Sequence, residues 1–226
     1  MNDMERGRVG VLTIGQSPRT DVTPSIKGIL GSNIEIIERG GLDRLTEETL
    51  SEITPGPTTT TTYISRLRNG KSVKIDKNKL LPLLQEELTE LEKETDVTIM
   101  LCTGDFPTLK NTKPVLYPDK VLRHSVQAIM TKGTLGLIIP LEEQKKSLVE
   151  KWHGIGMDIV VEAASPYEES DLKGAGARLK EKGADLIVLD CMGYHESHKN
   201  EVKQVFDGPV ILPRTLIARI AAEYVF

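Results

Sequence analysis

Nowhere does the 226-residue chain approach the ~20 consecutive apolar residues that span a bilayer as a helix, so no membrane association is expected. Its first residues, Met1 to Arg8, are charged where a secretory signal needs an apolar stretch, which makes the cytosol the expected compartment. Cysteine is scarce. The two present cannot build a disulfide framework, and a reducing cytosol would keep both as free thiols. Charge of one sign is not in excess either: 29 Lys and Arg against 33 Asp and Glu leave a formal net charge of −4. A field of that sign repels phosphate backbones, so nucleic acid is not an expected partner. Phosphate-binding loops are missing too. Gly15-Gln16-Ser17-Pro18 follows an apolar run but lacks the dinucleotide glycine spacing, and no Walker pattern occurs, so no nucleotide or other cofactor is expected.

What is present is an ordinary globular composition. Hydrophobic residues at 38% and charged residues at 27% exclude a disordered chain, and the length suffices for one generous core or two small ones. Val9 to Gly15 predicts a strand closed by glycine, followed by the turn Gln16-Ser17-Pro18-Arg19 and a helix over Thr20 to Leu30. Asn33 to Ile37 predicts a second strand, and the apolar spacing of Leu42 to Ile53 a second helix. Prolines 55 and 57 and the threonines Thr58 to Thr62 exclude helix and predict a loop entering a strand. Tyr63 to Leu67 and Lys71 to Ile75 flank an Asn69-Gly70 turn, the strongest short hairpin signal, expected as an inserted hairpin projecting from its lobe. Asn78 to Thr95 predicts an Asn-capped amphipathic helix, and Asp96 to Leu101 a central parallel strand ending in Cys102-Thr103-Gly104. A loop over Asp105 to Pro118 follows. From Asp119 helices and strands alternate to the end, the mark of parallel sheets with flanking helices.

Two halves can be laid on each other. Val9 to Ile14 resembles Leu135 to Pro140, and Asp96 to Cys102 resembles Asp185 to Cys191, in the same order along the chain. The expected division is a first α/β lobe over 1–118, with the hairpin insertion near 58–76, and a second over 119–226 whose last helix is free to pack on the first. Ligands of open parallel sheets sit beyond the carboxyl ends of the strands, where both cysteines fall. A thiol just before a helix N-terminus is biased towards the nucleophilic thiolate; the bland reading is a small buried hydrophobe. Gln16, Ser17 and Arg19 in the first strand-end loop, with Thr103 and the Gly104 N–H in the second, are candidate carboxylate donors. For Arg19 a solvated helix-start residue is the alternative. Cys191, His195 and His198 have a C-x3-H-x2-H spacing, but no second cluster completes a metal site, so no metal is expected; His195 reads instead as a neighbour tuning Cys191, or as a helix cap.

Leu101-Cys102-Thr103-Gly104 and Asp190-Cys191-Met192-Gly193-Tyr194-His195, with the opening Leu12-Thr13-Ile14-Gly15 and the closing Leu216 to Glu223, resemble the AroM family over essentially the whole chain. The resemblance implies the fold of the Asp/Glu racemases, maleate isomerase and arylmalonate decarboxylase: two pseudo-symmetric α/β lobes with a strand-end cysteine in each. It implies Cys102 and Cys191 as paired catalytic thiols facing each other across a cleft. The substrate would be a small carboxylic acid, held by Gln16, Ser17, Arg19, Thr103, Gly104, Gly193 and His195. In those racemases the first cysteine is typically followed by Asn-Thr and the second by Thr-His. Here Thr103-Gly104 and Met192-Gly193 follow, which turns the expectation away from amino-acid racemisation. Two readings compete: a cofactor-independent racemase, isomerase or lyase, and a non-catalytic binding or regulatory protein that keeps the fold. A two-stranded hairpin is marginal unless it packs on something, so it is expected either at a homodimer contact or against its own domain.

Overall fold

Residues 7–225 are described by a computed structural model in which the chain forms two units. One takes the chain up to Pro118 together with the stretch from Ile217 onwards, and the other is Asp119–Leu216. Among the described residues, no helix is long and apolar enough to cross a membrane.

In the first unit, β1 (Arg8–Thr13), β2 (Glu35–Gly40), β5 (Val97–Leu101) and β6 (Val115–Leu116) form a parallel sheet in the order β2-β1-β5-β6. β1 is central, with Val11 paired to Glu38 on one side and Ile99 on the other. All of β5, and all of β1 after Arg8, is buried, which is why their sequences run apolar without alternation. The helix α1 (Thr23–Leu30) follows β1 and buries Ile26 and Leu30. The helix α2 (Lys77–Glu94) packs on the sheet with Leu80, Leu84, Leu88 and Leu91, while Leu81, which the leucine spacing places on the same face, is only part-buried. Its cap is Asp76, whose Oδ1 accepts the Asn78 N–H (2.8 Å), two residues earlier than the asparagine the sequence suggested.

The helix expected over Leu42 to Ile53 is absent; only Thr49–Ile53 forms a 3-10 turn. Leu42 and Ile53 are buried, so their spacing records burial rather than helical period. The backbone is diverted locally: Leu42 N–H bonds to the Gly15 carbonyl (3.1 Å), and Thr46 N–H bonds to Thr49 Oγ1 (2.9 Å), the kind of hydroxyl competition that disfavours helix.

The hairpin forms as β3 (Thr62–Arg66) and β4 (Ser72–Asp76), paired antiparallel. Of the two turn residues only Gly70 takes positive φ (81°), and a Leu67 N–H to Lys71 carbonyl bond (2.9 Å) closes a three-residue loop. Nor does the hairpin project. Tyr63, Ser65 and Ile75 are buried, and Gln16 N–H bonds to the Arg66 carbonyl (3.1 Å), so the hairpin lies on the loop after β1. Gly15 permits this approach: a Cβ there would stand 2.3 Å from the Arg66 carbonyl oxygen. Its own lobe therefore supplies the packing that a two-stranded hairpin needs.

In the second unit, α3 (Pro118–Ile129) leads into β7 (Thr134–Ile139), α4 (Lys145–Trp152) and β8 (Asp158–Ala163). Then come α5 (Leu172–Glu181), β9 (Leu186–Leu189), α6 (Glu196–Lys203) and β10 (Val210–Ile211). The helix α7 (Pro213–Ala222) carries the chain out of this unit. The sheet order β8-β7-β9-β10 repeats β2-β1-β5-β6 strand for strand. Alternate residues serve opposite faces. Leu135, Leu137, Ile139, Leu186 and Val188 pack with Leu122, Val126 and Trp152. Ile138, Ile187 and Leu189 pack with Ala175, Leu179 and Val202.

The repeat extends to single hydrogen bonds. Asp96 N–H donates to the Arg8 carbonyl while its carboxylate accepts the Arg8 N–H (both 2.8 Å); Asp185 does the same to Thr134 (2.8 and 2.9 Å). Thr98 and Ile187 then donate to the carbonyls of Pro114 and Pro209 (both 3.0 Å). Because the hairpin is part of the first core, Ile75→Ala is expected to cost about 2–5 kcal/mol. A lowered urea midpoint would show it, whereas a hairpin standing free of the core would leave the midpoint unmoved.

Candidate functional site

In sequence order each cysteine follows the third strand of its unit's sheet, Cys102 directly after β5 and Cys191 two residues after Leu189, the last residue of β9, with Asp190 between. Both are free thiols and both are part-exposed. Neither thiol lies directly at a helix N-terminus. After Cys102 the next helix begins at Pro118, and after Cys191 at Glu196. The local donor is instead a turn: Gly104 N–H donates to Cys102 Sγ (3.3 Å) and Gly193 N–H to Cys191 Sγ (3.4 Å). Such a bond is stronger to a thiolate than to a thiol.

Each turn lies under a tyrosine. A Cβ on Gly104 would stand 2.6 Å from the Tyr63 ring, and one on Gly193 2.6 Å from the Tyr167 ring, separations real Cβ atoms do not show. Tyr63 comes from β3 and Tyr167 from the loop after β8, so in both units the cover is drawn from the segment between the second and third strands. Sequence reading missed both tyrosines. They lie 39 and 24 residues before their cysteines, and no local pattern marks them.

The first-strand loop is a closed network. Ser17 donates through its N–H (2.7 Å) and Oγ (2.6 Å) to the Asp43 carboxylate. Asp43 also takes the Gly40 N–H (2.7 Å) and Arg68 Nη2 (2.8 Å). Gln16 Nε2 donates to the Leu42 carbonyl (3.2 Å), and its oxygen accepts the Arg68 N–H (3.0 Å). Arg19 is only 3% exposed: Nε and Nη2 fork onto Asp21 (2.8 Å each), and Nη1 reaches Thr13 Oγ1 (3.0 Å) and Ser65 Oγ (3.2 Å). It is not a solvated helix-start residue. Burial opposes ionisation of Asp21, but the hydrogen bond and charge of Arg19 outweigh it and hold the carboxyl below its ordinary range. The fork that would grip a substrate carboxylate already grips Asp21. Asp43 is the residue sequence reading overlooked here. Thr103 is buried and Gly104 half-buried beside Cys102.

In the second unit Asp190 is buried behind Cys191, its carboxylate taking Lys151 Nζ (2.6 Å) and Trp152 Nε1 (2.8 Å). Arg214, 1% exposed, gives Nη2 to the carbonyls of Met192 and Gly193 (2.9 Å each), which pins the turn from below. Tyr194 donates its hydroxyl to the Ala164 carbonyl (2.6 Å). Burial first, then the charges of Cys191, Tyr167 and Asp190, hold its acidity far from neutral pH, so it remains a donor. His195 is the N-cap residue of α6: its N–H donates to His198 Nδ1 (3.3 Å), its Nδ1 lies 2.8 Å from Ser197 Oγ, and the two imidazoles stack at 3.7 Å. Burial, then the charges of His195 and Arg214, lowers His198 to about 4. Among the described residues no group of three or more His, Cys, Asp or Glu could hold a metal ion.

The family model described as AroM protein matches residues 9–225. No curated protein matches the chain. Solved structures share its architecture. The glutamate racemase of Aquifex pyrophilus is 16% identical with a TM-score of 0.58, the match covering 97% of this chain and 84% of that one. The maleate isomerase Iso of Pseudomonas putida S16 is 14% identical with a TM-score of 0.56, covering 94% and 90%. The allantoin racemase of Pseudomonas fluorescens is 13% identical with a TM-score of 0.57, covering 96% and 89%. At these identities the likeness fixes the fold, the Asp/Glu racemase-like arrangement of parallel sheets flanked by helices.

Two outcomes follow from these contacts. Arg19→Ala is expected to destabilise the first lobe by about 2–4 kcal/mol, since it strands Asp21 and two hydroxyls; a urea titration reads it. His198 binds its proton more weakly folded than unfolded, so its contribution to stability is complete above about pH 6.5 and is lost as pH falls towards about 4. His198→Gln is expected to flatten the acid limb of a plot of urea midpoint against pH in that window.

Proposed function

The chain belongs to the AroM protein family, and from that premise we propose that it is a cofactor-independent isomerase, racemase or lyase acting at a carbon beside a carboxylate. Cys102 and Cys191 are the acid and base of the reaction. The observation that carries this reading is the repetition of one device at equivalent strand ends: a part-exposed thiol whose sulfur accepts the N–H of a glycine two residues on, in both units. Buried packing cysteines would not need the same donor twice. The racemase and isomerase names of the structural neighbours are consistent with it.

In this mechanism one thiolate removes the proton from the carbon, and the electron pair left behind delocalises into the carboxylate. The other thiol then delivers its own proton, so the protons on enzyme and substrate balance over the turnover. In a lyase the carbanion forms instead by loss of carbon dioxide from a second carboxylate, neither thiolate takes a proton from carbon, and the thiol that protonates the carbanion recovers its proton from solvent. A small carboxylic acid is the substrate class. Thr103, with the Gly104 and Gly193 turns and His195, forms the contact set for the carboxylate. Gln16, Ser17 and Arg19 serve it by holding the first-strand loop in place through Asp43, Asp21 and the hairpin.

The test is solvent-isotope exchange. A panel of small mono- and dicarboxylic acids is incubated with the protein in D2O and followed by NMR at the carbon next to the carboxylate. Deuterium is expected to enter one of them, and Cys102→Ser or Cys191→Ser to slow that entry by about 10²–10⁴-fold. Binding, measured as a thermal shift with the same acid, is expected to survive both changes. Exchange that persists in the double serine variant would end the two-thiol mechanism, and an acid that shifts the melting temperature without exchanging would favour the binding-protein reading.

A further inference from the structure

Both Cys-x-Gly turns lie under a tyrosine ring, but the two hydroxyls are used differently. Tyr63 donates to the Asp105 carbonyl (3.1 Å), with the Asp105 carboxylate 3.3 Å away and itself paired with Lys77 (2.7 Å). Its proton is committed there. Tyr167 has its N–H anchored on Ser165 Oγ (3.2 Å) and its hydroxyl 3.7 Å from Cys191 Sγ, within hydrogen-bond range for sulfur. The ring that carries this hydroxyl cannot slide inward or be replaced at close range, because the space over Gly193 is already filled by it.

We propose that Tyr167 is a positioning residue for Cys191: its O–H donates to the sulfur, favours the thiolate and makes Cys191 the thiol that enters the reaction as base. Cys102 then enters as acid. The assignment of base and acid rests on the two-thiol reading above; the hydrogen bond itself does not. In the proton-transfer step the Cys191 thiolate takes the proton from carbon, Cys102 gives up its S–H proton, and Tyr167 keeps its own.

The neighbouring charged and titratable groups of this unit make bonds of their own. Asp190 is held by Lys151 and Trp152, and Tyr194 spends its proton on the Ala164 carbonyl. Arg214 is bonded to the carbonyls of Met192 and Gly193. His195 and His198 are engaged with each other and with Ser197 in the cap of α6. A purely space-filling role for the ring would be met equally well by phenylalanine, so the hydroxyl can be isolated.

The experiment follows the pH profile of iodoacetamide alkylation in full-length protein with one thiol left. In the Cys102→Ser background, Tyr167→Phe is expected to move the midpoint for Cys191 up by about one pH unit and to slow alkylation at neutral pH up to about tenfold. In the Cys191→Ser background, Tyr63→Phe is expected to leave the Cys102 midpoint where it was. An unmoved Cys191 midpoint in folded Tyr167→Phe protein would overturn the proposal. Should that variant not fold, 3-fluorotyrosine at position 167 keeps the ring and strengthens the donor. The midpoint must then fall, and no change would overturn the proposal equally. Alkylation requires no substrate. A shifted midpoint without isotope exchange on any acid leaves the Tyr167 bond standing and removes the enzymatic reading, and exchange without a shift does the reverse.

Discussion

A side chain at position 104 or 193 would have to occupy the volume of a tyrosine ring, and much of the site follows from that exclusion. With no Cβ in the way, the ring closes over the turn, and the turn in turn aims the glycine N–H at the sulfur two residues earlier. The thiol is thus held at the strand end by backbone, which cannot change rotamer, while its outer side stays accessible. Two glycines and two tyrosines position the two cysteines, and at Cys191 the hydroxyl of Tyr167 adds a side-chain contact to the sulfur.

Around these turns the charges are arranged to hold loops rather than to meet solvent. Asp43 gathers the Ser17 and Gly40 N–H groups, the Ser17 hydroxyl and Arg68, so that three segments remote in sequence share one carboxylate. Arg19 and Asp21 neutralise each other in a buried fork. In the second unit Arg214 performs the comparable service with carbonyl acceptors, and Asp190 is neutralised by Lys151. Buried charges satisfied in this way cost little when whole and much when one partner is removed. That is a reason for these residues to act as framework.

The duplication explains why the two cysteines are comparable at all. Strand order, the aspartate clamp at the start of each cysteine strand, the proline carbonyl beside it and the tyrosine over the glycine recur in both units. The units differ where the first receives a hairpin and the second only a loop. Tyr63 therefore arrives on a strand, with its hydroxyl turned to Asp105, while Tyr167 arrives on a loop that lets its hydroxyl reach sulfur. Divergence of one inserted segment is enough to put the two tyrosine hydroxyls to different uses.

What the sequence determined by itself was local or periodic: the apolar strands β1, β5, β7 and β9, the leucine face of α2, the Asn69-Gly70 hairpin, and a cysteine at each of two matching strand ends. Burial on both faces of a parallel sheet writes an unbroken apolar run, and such runs can be read without knowing what covers them. The segment Leu42 to Ile53 shows the limit, because apolar spacing reports which residues are buried and not the backbone path that buries them. The roles of Asp43, Arg19, Arg214, Tyr63 and Tyr167 were decided only by tertiary structure. Each depends on a partner brought close by the fold: Ser17 is 26 residues from Asp43, Ser65 46 from Arg19, Met192 22 from Arg214, and Cys191 24 from Tyr167. Gly104 and Gly193 belong with them, since what forbids a side chain at either position is a ring supplied from elsewhere in the chain.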